Sequence, residues 1–300
     1  MSVVIVGSLA FDTIHTPFAS REKILGGACT YSAIAASHFT KPLITGVVGE
    51  DFGEKEFSLL HSKKIDTSGV KKEQGKSFFW EGRYHLDMNT RDTLKTELNV
   101  FERFDPEVPE SYRDVPFLFL ANIDPPLQLK VLNSMRKLKF SMVDTMNLWI
   151  EIKKRELTEV FSRVDCVVLN DSEIRQFTGK ANLLQGAREI QKIGPKYVII
   201  KKGEHGASIV GRQGFYFPSA SYPVEDVADP TGAGDSFAGA FIGFLAQQNK
   251  VNENTLKKAL VYGNATASFT VEGFGTERIS QINRRDIDNR VKAIRALSIF

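Results

Sequence analysis

Cysteine is scarce: only Cys29 and Cys166 occur in 300 residues. Two so distant thiols give no disulfide framework and fit a reducing compartment. No apolar run approaches bilayer-spanning length, and the apolar start, Met1 to Ala10, lacks a basic leader and stops at Asp12. The expectation is a soluble, cytoplasmic chain with no membrane partner. Charge of one sign is missing as well. The 39 basic and 36 acidic residues leave +3, spread too evenly to argue for a nucleic-acid partner. The five histidines, His15, His38, His61, His85 and His205, show no metal-ligand spacing, so nothing supports a zinc site. No G-x-G-x-x-G occurs, and neither Gly7-Ser8-Leu9-Ala10 nor Gly203-Glu204-His205-Gly206 supplies one, which leaves a nucleotide-dependent oxidoreductase unsupported. Gly75-Lys76-Ser77 imitates the end of a P-loop, but the glycine required five positions before Gly75 is Val70.

What is present is 42% hydrophobic content, enough for one large domain or a domain plus a lid. Val3 to Val6 reads as a buried parallel strand, and the segment to Asp12 as a loop. Leu43 to Gly49, Phe117 to Ala121, Phe140 to Val143, Val164 to Leu169 and Val198 to Ile200 are further strands. Helical patterns cover Thr30 to Ser37, Glu54 to Lys63, Leu127 to Leu138, Ile150 to Phe161 and Leu183 to Ile193. Such alternation predicts an α/β fold with a mainly parallel sheet, whose ligands gather at the carboxyl ends of the strands. Asp12, Asn122, Asp144, Asn170 and Gly203 all follow strands. The segment 75–104 breaks the alternation: Ser77 to His85 and Leu94 to Phe101, aromatic and β-branched, flank a polar turn, Asn89-Thr90-Arg91-Asp92. It reads as a small antiparallel insertion, which could cover a site, pair with a second subunit, do both, or be a plain surface hairpin. Ile279 to Phe300 reads as a closing helical region.

The stretch Asp229-Pro230-Thr231-Gly232-Ala233-Gly234-Asp235-Ser236-Phe237 carries the chemistry. A loop of small residues enters a helix whose apolar positions Phe237, Phe241, Phe244 and Leu245 recur at helical spacing. The first turn, near Ala233 to Ser236, offers free N–H groups and a dipole equivalent to about half a positive charge to an anion. Asp235 would repel that anion unless it acts as a base, taking a proton from a hydroxyl that attacks a bound phosphoryl group. An ordinary capped turn with an acidic first residue is the plainer account. Asn170-Asp171-Ser172-Glu173 follows a strand and opens a helix. Asn170 and Glu173 read either as a helix cap or as residues that hold the waters of a Mg²⁺ ion. Lys202-Gly203-Glu204-His205-Gly206-Ala207 is a glycine turn between two strands.

Together these residues resemble the pfkB or ribokinase family of carbohydrate kinases, over essentially the whole chain and in the right order. The resemblance implies a ribokinase-like three-layer sandwich: a single domain over 1–300, with a small β lid from about 75–104 and part of 12–25. It implies ATP and Mg²⁺ as cofactors, with a monovalent cation as a further candidate, and a homodimer through the lid as a candidate assembly. It carries Asp235 over as base, with Gly232, Ala233 and Gly234 as the anion hole. Asp12, Gly26 and Gly27 would meet the acceptor. Asn170 and Glu173 match the N-x-x-E motif acting on Mg²⁺ and phosphate, the metal being held through water. Lys202, Gly203, Gly206 and Thr231 would meet the nucleotide, with Asn264 and Ser268 beside adenine. Asn122, and after it Asp124, Asp144 and Asn147, are further acceptor candidates. Sugar kinases of the family often have asparagine where Tyr31 stands here. A tyrosine there, with Phe78, Phe79, Trp80 and Tyr84, could stack on a flat base or simply pack the lid. The implied activity is ATP-dependent phosphorylation of a primary hydroxyl on a sugar-like molecule, with a nucleoside kinase as the alternative. A catalytically silent sensor is disfavoured because Asp235, Gly232 and Gly234 are all present.

Overall fold

The computed structural model describes residues 1–299. The chain opens with β1 (Val3–Val6), β2 (Ala10–His15), β3 (Ser20–Gly26), α1 (Ala28–Ser37), β4 (Pro42–Val48), α2 (Glu54–Ser62) and β5 (Asp66–Lys72). Then come β6 (Phe78–Tyr84), β7 (Arg91–Glu97), β8 (Phe117–Leu120), α3 (Pro125–Ser134), β9 (Phe140–Asp144), α4 (Asn147–Ile152) and α5 (Lys154–Arg163). After these the chain forms β10 (Cys166–Asn170), α6 (Asp171–Thr178), α7 (Leu183–Ile193), β11 (Tyr197–Lys201), β12 (Ala207–Gly211) and β13 (Tyr216–Ser219). Four helices close it: α8 (Ala233–Gln248), α9 (Glu253–Thr270), α10 (Glu277–Gln281) and α11 (Arg284–Ala296).

Nine strands form the central sheet in the order β13-β12-β11-β10-β9-β8-β1-β4-β5. Every neighbouring pair from β11 to β5 is parallel, and β12 and β13 join antiparallel at one edge. Side chains alternate across the sheet with period two. Val3 and Ile5 enter the apolar layer shared with α1, α8 and α9, while Val4 and Val6 enter the layer under α3, α5, α6 and α7. The result is a helix–sheet–helix sandwich, the three-layer architecture that the resemblance implies.

The small residues of α1 and α8 have a packing reason. A Cβ on Gly239 would stand 2.1 Å from the Ser32 carbonyl oxygen, so the two helices touch backbone to backbone. Ser32 Oγ also donates to the carbonyl of Asp235 at 3.0 Å. This contact sets the N-terminus of α1, just after Gly26 and Gly27, beside the N-terminus of α8.

A second, four-stranded sheet, β3-β2-β6-β7, forms the lid. Its β6–β7 pair is the expected antiparallel hairpin, and the earlier strands extend it: β2 pairs with β6 in parallel and with β3 antiparallel. Asp12 therefore lies within a strand rather than a loop. The expected strand Leu94 to Phe101 ends at Glu97 and gives way to a 3-10 turn at Asn99–Arg103, while the helical pattern Ile150 to Phe161 splits at Lys153. Of the strands that periodicity missed, β3, β5 and β13 lie at sheet edges, where solvated faces carry little apolar signal, and β2 lies inside the lid sheet. The tail forms α10 and α11, and Phe300 lies outside the described residues. Among those residues no helix is long and apolar enough to cross a membrane.

Candidate active site

The loop 229–232 is tied down before it reaches the helix. Asp229, fully buried, accepts the Thr231 N–H at 2.8 Å through Oδ1 and the Gly275 N–H at 3.0 Å through Oδ2. Gly232 caps α8 at φ 75°, a left-handed conformation open to glycine at little cost. A Cβ there would also stand 2.4 Å from the Tyr31 ring. Tyr31, 1% exposed, thus packs under the loop, and its hydroxyl has no hydrogen-bond partner among the described residues. The ring is a buried pillar. It presents no open face to a flat base, which corrects the stacking expectation for this residue.

Asp235 stands in the first turn of α8. Burial, reinforced by Asp144, pushes its carboxyl up to about 7, against the opposing charges of Lys201 and Arg91. Across from it, Asp12 of β2 is 4% exposed and pushed up to about 8 by burial and by Asp229 and Asp235. Gly26 makes room for it: a Cβ there would stand 1.9 Å from Asp12 Oδ2. Gly27 turns the chain into α1 at φ 94°, with the Ser8 carbonyl oxygen 2.5 Å from where a Cβ would project.

Asn170 and Glu173 form a capping box. Asn170 Oδ1 accepts the Glu173 N–H at 2.8 Å, and Glu173 Oε2 accepts the Asn170 N–H at 2.7 Å. The plain cap reading thus accounts for both residues, yet it spends only one carboxylate oxygen. Glu173 is otherwise buried and raised to about 7 by burial, with Lys201 opposing and Asp144 adding to the rise. Among the described residues no group of three or more His, Cys, Asp or Glu could hold a metal by itself. A magnesium ion that keeps its waters and rides on substrate phosphates needs only one or two protein carboxylates, so Glu173 fits that donor set.

Lys202 leads into the turn Gly203–His205, flanked by positive φ at Gly203 and Gly206. Of the remaining expected residues Asn147 is exposed, and the others are engaged by neighbouring groups of the protein. Asn264 donates to the carbonyls of Ala220 and Ser219 at 3.0 and 3.3 Å, and the Ser268 hydroxyl donates to Ala265 and accepts from Arg290. The structure therefore spends both polar groups on packing rather than leaving them open. Asn122 accepts Trp149 Nε1–H at 3.0 Å, Asp124 pairs with Lys153 at 2.6 Å, and Asn147 opens α4.

Three features escaped the sequence. Lys201 Nζ donates to Asp144 Oδ2 at 2.7 Å, bridging the ends of β11 and β9. Strand alternation holds a signal for it, since Ile199 faces the α8 layer and Lys201 follows it by two. Arg91, at the start of β7, places a positive charge that opposes the rise of the Asp12, Glu173 and Asp235 carboxyls. The lid is also docked at two points: the Thr231 hydroxyl donates to Tyr84 Oη at 3.1 Å, and Asn89 Oδ1 lies 3.1 Å from where a Gly203 Cβ would stand.

A helix N-terminus carrying a carboxylate of raised pKa, beside a buried ammonium and under a β lid, is suited to transferring an anionic group onto a hydroxyl. Comparison with known proteins agrees. The family model for pfkB family carbohydrate kinases matches residues 2–283. A cytidine kinase of Thermococcus kodakarensis is 31% identical over 258 residues, covering 84% of this chain and 91% of that protein. A putative ribokinase II from E. coli, solved with ATP and Mg²⁺, matches at TM-score 0.80 and 18% identity over 97% of this chain and 99% of the other. The nucleoside kinase of Burkholderia thailandensis, solved with inosine, also matches at 0.80 and 18%, over 97% and 98%. The chain belongs to the pfkB family of carbohydrate kinases. It is accordingly an ATP-dependent phosphotransferase with an alcohol group as acceptor.

Proposed function

We propose that this kinase phosphorylates the primary hydroxyl of a nucleoside, with Asp235 as base. The single observation that carries the chemistry is the placement of Asp235 in the first turn of α8, raised to about 7 and so able to exchange a proton near neutrality. The acceptor class is supported by the 31% identity to a cytidine kinase over most of both chains. A free sugar is the second reading, favoured by the burial of Tyr31, which removes one expected stacking surface.

In this reading Asp12 and the backbone at Gly26 and Gly27 hold the ring hydroxyls and aim the primary hydroxyl at Asp235. The N–H groups of Gly232, Ala233 and Gly234 meet the developing charge on the phosphoryl group. Lys202, Gly203, Gly206 and Thr231 face the nucleotide, and Asn264 and Ser268 shape the wall beside its base. Asn170 and Glu173 would hold Mg²⁺ through water, and the ion would neutralise phosphate charge. The lid keeps water from competing with the acceptor. We assign the chain one kinase domain with this lid, acting in the cytoplasm. ADP release with Mg-ATP against cytidine, inosine, adenosine, ribose and fructose tests the assignment. Turnover should be highest with a nucleoside, and Asp235→Asn should lower it by about 10²–10⁴-fold. Selective turnover of a free sugar would refute the nucleoside assignment, and near-normal activity of Asp235→Asn would refute the base.

A further inference from the structure

We propose that Lys201 is the fixed cation of the phosphoryl-transfer centre, its ammonium held by Asp144 and directed at the γ-phosphoryl group beside Gly234. The inference deepens the kinase reading above and rests on it.

The geometry sets Lys201 apart from the other lysines. Its side chain is 16% exposed and that of Asp144 5%, so the pair is largely withdrawn from water. Nζ lies 3.2 Å from where a Cβ on Gly234 would stand, which puts the ammonium against the middle of the anion-binding turn. An ammonium has three N–H donors, and among the described residues one is used, on Asp144. Glu173 and Asp235 are near enough for their charges to act on it, yet neither is bonded to it.

A purely structural role accounts poorly for this arrangement. In the sheet β10 lies between β9 and β11 and pairs with both, so the strands that Lys201 and Asp144 end are already joined. A largely buried ion pair contributes little net stability against its desolvation cost. The site also concentrates Asp12, Asp144, Glu173, Asp229 and Asp235 where a triphosphate must enter. Lys201 and Arg91 are the cations whose charge acts on Asp235, and only Lys201 stands on the sheet rather than on the lid.

In the step itself the acceptor oxygen forms a bond to the γ-phosphorus as the bond from that phosphorus to the bridging oxygen breaks. The hydroxyl proton passes to Asp235, the electron pair of the broken bond leaves on the β-phosphate of ADP, and the products are the phosphorylated alcohol and ADP. Lys201 gains and loses no proton. Its free N–H groups meet the phosphoryl oxygens that carry the charge. Asp144 is a positioning residue that fixes the ammonium.

The test compares binding of Mg-ADP and of Mg-bound β,γ-imido-ATP by calorimetry in the wild type, Lys201→Met and Lys201→Arg, alongside kcat. The expected pattern for Lys201→Met is nearly unchanged ADP affinity, imido-ATP affinity weaker by about 10-fold or more, and kcat lower by about 10²–10³-fold, the usual cost of one lost oxyanion donor. Lys201→Arg should recover part of the imido-ATP affinity. Equal weakening of both nucleotides, or no weakening of either, overturns the proposal. If Lys201→Met does not fold, Lys201→Met combined with Asp144→Leu, which removes the orphaned carboxylate with the ammonium, carries the same comparison. Failure of the kinase reading is separately visible, as absence of wild-type turnover with every acceptor while the two nucleotides still bind differently.

Discussion

Gly232→Ala is the substitution whose consequence the structure specifies most closely. The residue sits at φ 75°, where a side chain costs about 1–2 kcal/mol. The new Cβ would also stand 2.4 Å from Cγ and Cδ1 of Tyr31, about 1 Å inside ordinary contact by the usual carbon separation. That ring is buried and cannot swing into solvent, so the loop must lift. Overpacking of this kind costs about 1–3 kcal/mol, giving a total of about 2–5 kcal/mol. A loop lifted by about 1 Å would carry the N–H groups proposed to meet the phosphoryl charge off their target, at a cost of about 10²-fold in rate. The assay is denaturant unfolding paired with kcat and KM from ADP release. In a Tyr31→Ala background, Gly232→Ala should cost only the backbone part, about 1–2 kcal/mol, because the clash has gone. Tyr31→Phe should leave stability and kcat unchanged, since it removes a hydroxyl without a partner. Wild-type stability and kcat in Gly232→Ala would refute the pillar argument.

Two further outcomes are expected. Asp229→Asn replaces a double acceptor with a single one and leaves the Thr231 or Gly275 N–H unbonded, at about 1–3 kcal/mol, so it should unfold at lower denaturant and lose kcat; unchanged values in both would contradict the tether. The raised carboxyls, Asp12 to about 8 and Asp235 and Glu173 to about 7, bind more protons folded than unfolded. Their contribution to stability is full below the ordinary carboxylate range near 4 and is lost as pH climbs through 7 to 8. Unfolding of the ligand-free protein should therefore ease from about pH 5 to about pH 8, less steeply in Asp12→Asn, and greater resistance across that range would refute the assignment.

Much of the fold was written in the local pattern. Apolar runs such as Val3–Val6 and Phe117–Leu120 are strands because both faces are covered, and the spacing of Phe237, Phe241 and Leu245 makes a helix. Gly27, Gly232 and Asp235 stand at turns and helix N-termini, which restrict residue type within a few positions of the chain. The edge strand β3 and the parallel pairing of β2 with β6 were not legible, since neither leaves a periodic trace.

Only the tertiary structure decided what Tyr31 and Lys201 do. Tyr31 looks the same in sequence whether it faces a ligand or the underside of Gly232, and the close packing of α1 on α8 settles that. Lys201 looks like one of two adjacent surface lysines until the sheet order brings Asp144, 57 residues away along the chain, to within 2.7 Å of its ammonium. Backbone preference acts over a few residues and can be read from them. Charge and contact act through space, and the chain discloses them only once the strands have taken their order.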